Sequence, residues 1–389
     1  MIPGGEEQMR KRWTLRGLCA STAASVILMA SAVGAEQGSE TSDPTSETEL
    51  VILGGGAGRT SYGGDPTGGF SAAVVVGEDR YIVDFGRGWQ ERYYEAGLGN
   101  ERAHTGFSGL EGLKAGFVTH LHSDHIIDLP RLLLFGSTEG LRKRTDPVVI
   151  VGPASRGDLP PLASNLEREE RLVSPENPTP GIKSTVEQIF AAYASDLNDN
   201  IRDSGMPHPD TYIEVREIAL PEGTPGPDVS VAPEMAPFEI YRDENISVSA
   251  ILVDHAPMYP SYALRFETPD GVIVFSGDTN MNPNLVEIAR DADILVLEVI
   301  STDWANNLFP EPRSSADIAK LHHLLESHTP VEEVGQVAAQ ANVGRLVLSH
   351  LAPATVPDEE WLAGVSGFEG EVLVGRPLLR LGLSEANNP

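Results

Sequence analysis

Apolar runs recur along the chain, and most of them break off at Gly, Asp, Ser or His. Leu50 to Leu53 is the first, running into Gly54-Gly55-Gly56-Ala57-Gly58. Ser71 to Val76 and Tyr81 to Val83 are β-branched or aromatic and bracket Gly77-Glu78-Asp79, the pattern of a hairpin that ends in Asp84-Phe85-Gly86. Further strands are predicted at Ala115–Val118, Val148–Val151, Tyr212–Ala219, Ile246–Val253, Tyr262–Phe266, Gly271–Phe275, Ile294–Val299 and Leu346–Leu348. Helical patterns fall at Trp89–Ala96, Leu129–Leu134, Thr185–Ala194, Leu285–Arg290, Ser315–Leu325 and Val331–Gln340. Strands alternating with helices make this an α/β chain. Asp196 to Pro237 is rich in Pro, Asp and Gly and holds one strand-like run. That is long for a connection, so the stretch of about 155–237 reads as an insertion, a lid or binding loop, within a domain spanning 50–389.

The strand ends carry the chemistry. Thr119-His120-Leu121-His122-Ser123-Asp124-His125 sets three imidazoles and a carboxylate in six residues, after one apolar run and before the next. Imidazole and carboxylate at this density suit zinc or a similar first-row metal. His120 and His122 alternate, so in extended backbone both rings point one way, while Asp124 and His125 follow where the chain turns toward a second metal. His255, Asp278 and His350 stand at three later strand ends. Together these give seven groups, enough for two metals with a shared carboxylate. Asp84, also at a strand end, either orients a ligand histidine or caps its turn.

The front of the chain differs from the rest. Arg10, Lys11, Arg12 and Arg16 precede the small and apolar stretch Leu18 to Val33, and Val33-Gly34-Ala35 is a plausible cleavage site. Residues 1–35 therefore read as a signal peptide, and 36–49, rich in Ser, Thr and Glu, as a flexible leader. A secreted or periplasmic protein with no stable membrane insertion is expected. The single cysteine, Cys19, lies in the segment that cleavage removes, so any metal site is built without thiolate. The formal net charge is −29, a field that repels polyanions.

In order along the chain, the seven-residue metal motif, Asp254-His255, Ser276-Gly277-Asp278-Thr279 and Leu348-Ser349-His350 resemble the metallo-β-lactamase superfamily, in its ribonuclease Z and arylsulfatase-type branch. Leu53 to Gly58, Val83-Asp84-Phe85-Gly86, Ser261-Tyr262 and Ser327-His328-Thr329-Pro330 are similar too. The resemblance implies an αββα sandwich with ligands at one edge. It implies one zinc on His120, His122 and His255, a second on Asp124, His125 and His350, and Asp278 between them, with iron or manganese as alternatives. It implies that Glu298 and His328 help protonate the leaving group, although the family's His before that Glu is Leu297 here. A bland alternative makes His328 a helix-capping residue. The RNA-binding arm usual in ribonuclease Z would fall between Phe266 and Ser276, where only a short turn is present. With the acidity and the export signal, this predicts no nucleic-acid partner. The expected activity is that of a secreted binuclear zinc hydrolase using a metal-bridging hydroxide on small ester-like substrates. Phosphodiesters and aryl sulfates come first and lactones or β-lactams second, with an iron-dependent oxidoreductase as the rival class.

Overall fold

The computed structural model describes residues 48–58, 67–100, 103–162 and 171–383. The expected signal peptide and all but the last two residues of the expected leader lie outside the described residues. Those two, Thr48 and Glu49, already pair as strand.

Period-2 patterning sorts each apolar run between two cores. In strand β1 (Thr48–Gly54), Leu50 and Ile52 face one cluster while Val51 and Leu53 face another. In β2 (Ser71–Val76), Val74 and Ala73 divide the same way. A strand buried on both faces lies inside a sandwich. The first sheet continues with β3 (Asp79–Val83), β4 (Leu113–Phe117), β5 (Val148–Pro153) and β6 (Ile213–Ile218). The second holds β7 (Phe238–Arg242), β8 (Ser247–Leu252), β9 (Tyr262–Thr268), β10 (Gly271–Phe275), β11 (Ile294–Ile300), β12 (Arg345–Ala352) and β13 (Glu371–Val374). The last strand, β14 (Arg380–Gly382), returns to pair with β1. The orders are β14-β1-β2-β3-β4-β5-β6 and β13-β12-β11-β10-β9-β8-β7. Each sheet is antiparallel at one end and parallel at the other, with β3 to β6 and β10 to β13 parallel.

The inner faces meet in one core where Phe117 lies edge-on to Phe266, with ring centres 5.2 Å apart. Helices cover the outer faces. On the first sheet, α1 (Trp89–Glu95), α3 (Leu129–Phe135) and α4 (Ile182–Ala192) contribute Trp89, Leu132 and Ile182. The short α2 (Ser123–Ile126) sits inside the metal motif, and α5 (Ala194–Ser204) buries no side chain. On the second sheet, α6 (Pro283–Ala289), α9 (Val331–Gln340) and α10 (Asp358–Gly364) bring Leu285, Val334 and Trp361. Helices α7 (Thr302–Leu308) and α8 (Ser315–Ser327) share a small satellite core. This is the αββα sandwich. Among the described residues no helix is long and apolar enough to cross a membrane.

The described part of the stretch read as an insertion supplies α4, which packs on the sheet, and the edge strand β6. The glycine run after β1 is a place of close backbone approach. A Cβ on Gly54 would stand 1.9 Å from the carbonyl oxygen of Gly69. Both partners are backbone and neither can yield cheaply, so Gly54→Ala is expected to cost about 3 kcal/mol. A chemical denaturation midpoint unchanged from wild type would refute this packing.

Candidate metal centre

The carboxyl ends of the parallel strands converge on one edge, the usual place for chemistry in such sheets. Asp84 follows β3, the histidine motif follows β4 and Asp278 follows β10. His255 follows the antiparallel β8. His350 lies inside β12, in a bulge: Glu298 pairs with Ser349 and Val299 with Leu351, leaving His350 as the extra residue with φ of 44°. A bulge re-aims a side chain without ending the strand. The expected strand end at Ser349 is therefore a kink within a longer strand.

Two groups of donors hold the seven expected ligands, and a third, Asp278, His328 and His350, overlaps both. His120, His122, His255 and Asp278 have one donor atom each within 4.8 Å of the others, as do Asp124, His125 and His350. In the first, His122 Nδ1 lies 3.0 Å from the Nε2 atoms of both His120 and His255. Asp278 Oδ2 lies 3.6 Å from those same two Nε2 atoms. In the second, His350 Nε2 is 3.2 Å from His125 Nε2 and 3.4 Å from Asp124 Oδ2. Asp278 reaches this group as well, with Oδ1 3.3 Å from His125 and Oδ2 3.4 Å from His350. Ligands at about 2.0–2.1 Å in a tetrahedron stand roughly 3.3 Å apart, so this spacing fits zinc-sized ions.

Neighbouring groups settle which ring nitrogens remain open. Asp84 accepts from His125 Nδ1 at 2.7 Å and from the Thr119 hydroxyl at 2.8 Å, and its other oxygen accepts from the Thr119 amide. The Thr119 hydroxyl, its proton committed, accepts from His120 Nδ1 at 3.1 Å. His255 Nδ1 donates to the Ser327 carbonyl at 2.7 Å. All three rings thus keep Nε2 for the donor cluster. The Gly58 amide donates to Asp124 Oδ2 at 2.9 Å. Of the two roles open to Asp84, the geometry shows the orienting one. Asp84→Asn keeps the shape and tolerates its φ of 56° but removes the charge that His125 leans on. It is expected to weaken metal retention about 10–100-fold, read by competition with a chelator.

The charge pattern asks for cations. Burial, reinforced by the neighbouring rings, pushes His120 well below its ordinary pKa and His122 down to about 3, and burial lowers His255. These imidazoles are neutral and present lone pairs. Burial opposes charge on His125 and His350 too, but Asp278, Asp84 and Asp124 raise His125 well above the usual range. Asp278, with Asp124 and Glu298, raises His350 to about 10. Burial would raise Asp278, yet His350, His125 and His120 hold it well below the usual carboxylate range. Asp278 Oδ1 is buried with no hydrogen-bond partner among the described residues. A metal dication answers each of these demands, so the residues fit the group the family implies.

Glu298 and His328 stand beside this centre. His328 Nδ1 is 2.9 Å from Glu298 Oε2, and Glu298 Oε1 accepts from the Thr279 amide. The His328 ring stacks on that of His350 with centres 5.9 Å apart. It is the C-cap of α8, where the helix dipole favours a cation. Burial lowers its proton affinity, but Glu298 outweighs that and the net direction is up. Leu297 points to the helical layer, buried among the apolar residues there, so a histidine at that position would face away from the site. Sequence reading missed Thr119, Gly58 and Ser327 as supports. All three lie in stretches that resemble the family, but nothing local in them names the partner each one holds.

No family model matches the chain. It is similar to a ribonuclease Z from Mycobacterium marinum, 29% identical over 340 residues, covering 86% of this chain and 98% of the relative. It is also similar to a ribonuclease Z from Mycobacterium sp. (strain KMS), 30% identical over 322 residues, covering 80% of this chain and 89% of the relative. The chain belongs to the ribonuclease Z branch of the metallo-β-lactamase superfamily. Solved structures agree in fold. YhfI from Bacillus subtilis superposes with a TM-score of 0.52 at 16% identity, covering 86% of this chain and 98% of that one. The short form of human tRNase Z superposes with a TM-score of 0.53 at 16% identity, covering 86% and 99%. As a member of this branch the chain is a metal-dependent hydrolase, which sets aside the oxidoreductase alternative. The ribonuclease Z relationship also overturns the expectation of no nucleic-acid partner. That expectation rested on the short turn between Phe266 and Ser276, the export signal and the net charge, and net charge describes the whole surface. The potential at one edge is set by what is bound there, and metal dications are the largest local charges in such a site.

Proposed function

We propose that this member of the ribonuclease Z branch is a zinc-dependent phosphodiesterase that cleaves RNA. The observation that carries the reading is the shared carboxylate: Asp278 turns Oδ1 to one donor group and Oδ2 to both. His120, His122 and His255 would hold one ion, Asp124, His125 and His350 the other, and Asp278 both. Imidazole and carboxylate without thiolate suit zinc, with manganese or iron as substitutes. Two ions held so, when bound, supply an activated water and offset charge growing on the phosphoryl oxygens. The chain's own residues do the rest. Asp84, Thr119 and the Ser327 carbonyl fix the ligand rings. Glu298 holds Nδ1–H of His328, which leaves Nε2–H to protonate the departing oxygen. The relatives' common name supports RNA over the small aryl phosphodiesters and sulfates first expected. The turn between β9 and β10 is two residues, Pro269 and Asp270, so RNA would be gripped without an arm at that position.

The test is cleavage of a tRNA-containing transcript by zinc-loaded full-length protein. Endonucleolytic cutting that a chelator abolishes and zinc restores is expected. Intact RNA alongside rapid aryl sulfate or lactone hydrolysis would overturn the reading. Residues 1–35 retain the pattern of an export signal, and a mature protein beginning near Glu36 by mass spectrometry would establish it.

A further inference from the structure

A cleft of about 330 Å³ opens beside the metal centre, with His122 on its wall. His122 connects the two, since its Nδ1 faces His120 and His255 at 3.0 Å. The rest of the described wall comes from the loops after β4, β5 and β8 and from the first turn of α4. Its character is apolar, with Leu121, Ile126, Met258 and several prolines. Arg156 supplies a charged group, and no carboxylate is found on the described wall. The Arg156 guanidinium lies 5.6 Å from the centre of the Tyr259 ring and donates to the Pro257 carbonyl at 3.2 Å. Tyr259 is 8% exposed, so the ring is a fixed surface. One donor of the guanidinium is spent on Pro257 and others remain for an anion.

We infer that this cleft receives one unpaired nucleobase next to the scissile linkage, with Arg156 on an adjoining phosphate; the inference rests on the phosphodiesterase reading. The volume lies at the low end for a small-molecule pocket and suits one base with its sugar left at the mouth, not a duplex. Splayed bases bind by stacking on aromatic and guanidinium planes, and the Arg156 guanidinium, backed by the nearly buried Tyr259 ring, offers the second. An apolar cleft with one cation on its wall and a phosphoryl site one imidazole away matches the layout of a nucleotide. The function assigned to the cleft is selection of single-stranded RNA at the cut.

The experiment is calorimetric binding of adenosine 5′-monophosphate, ribose 5-phosphate and hexyl phosphate to zinc-loaded full-length protein. Adenosine monophosphate should bind about tenfold or more tighter than ribose 5-phosphate, the effect expected of one stacked base. Ala154→Phe, which fills the cleft, should erase that gap and leave ribose 5-phosphate binding unchanged. Arg156→Met should weaken both nucleotide and sugar phosphate. If Ala154→Phe does not fold, Tyr259→Leu carries the comparison and should shrink the gap about fivefold. Equal affinity for adenosine monophosphate and ribose 5-phosphate in wild type, or hexyl phosphate binding as tightly as the nucleotide, overturns the inference. Failure of the parent reading looks different: a base-dependent gap in a protein that cuts no RNA refutes the phosphodiesterase and leaves a nucleotide-binding cleft. RNA cleavage without a gap does the reverse.

Discussion

Asp278→Asn should remove activity more completely than any other single isosteric change in this chain. Oδ1 faces His125 and Oδ2 faces His120, His255 and His350, so the carboxylate meets both donor groups, and Oδ1 has no hydrogen-bond partner among the described residues. An amide offers one weak acceptor and, on its other side, an NH₂ that points protons at a cation. Elemental analysis is expected to fall from near two zinc ions per chain to one or fewer. Metal ions supply several kcal/mol of transition-state stabilisation in such sites, so turnover should drop on the order of 10³-fold or more. The fold should survive, because the structural bond at this residue is made by its backbone: the Ser261 hydroxyl donates to the Asp278 carbonyl at 3.2 Å. The far-ultraviolet spectrum therefore stays that of wild type. Asp210→Asn, at an exposed ion pair with His208, is the control that should change nothing. Two bound metals and near-normal turnover in Asp278→Asn would dissolve the shared-carboxylate assignment.

What the sequence made legible follows from what is local. Strands buried on two faces announce themselves as apolar runs, as at Leu50 to Leu53, and the histidine motif is compact enough to read without a fold. What stayed hidden depends on partners far along the chain. Helix α5 buries no side chain, and its Leu197 and Ile201 are too few among Asp and Asn residues to announce it. Strand β7 has a half-exposed pattern, and β13 and β14 are short edges, so none shows a clear period. Helix α7, Thr302 to Leu308, has two adjacent Asn in a short span and shows no clear helical period. The bulge at His350 is set by register against β11, and the Arg156–Tyr259 pair joins loops a hundred residues apart. The charge argument against nucleic acid failed for the same reason, because it summed over the surface what matters only at one edge.

The His328→Ala variant separates proton transfer from structure. The ring is anchored by Glu298 at 2.9 Å, capped by the end of α8 and stacked on His350, and one of its nitrogens lies within 4.8 Å of donor atoms of Asp278 and His350. Burial disfavours its cation, but the Glu298 carboxylate more than offsets this and holds the proton affinity above the ordinary value. A general acid must be protonated to act, so with a poor leaving group the wild-type rate should fall as pH rises through that raised pKa. Removing the imidazole should cost about 10²–10⁴-fold on an RNA linkage, whose ribose alkoxide needs a proton to depart. The loss on an aryl phosphodiester releasing p-nitrophenolate should be small, because that anion leaves unprotonated. The alkaline limb of the RNA pH profile should vanish in the variant, while zinc content stays at the wild-type level. Glu298→Gln is expected to keep the ring in place but shift the alkaline limb to lower pH, since the group that favours the cation is gone. Equal losses on both substrates with metals intact, and an unchanged pH profile in Glu298→Gln, would make His328 a structural cap of α8 and leave the leaving group to another donor.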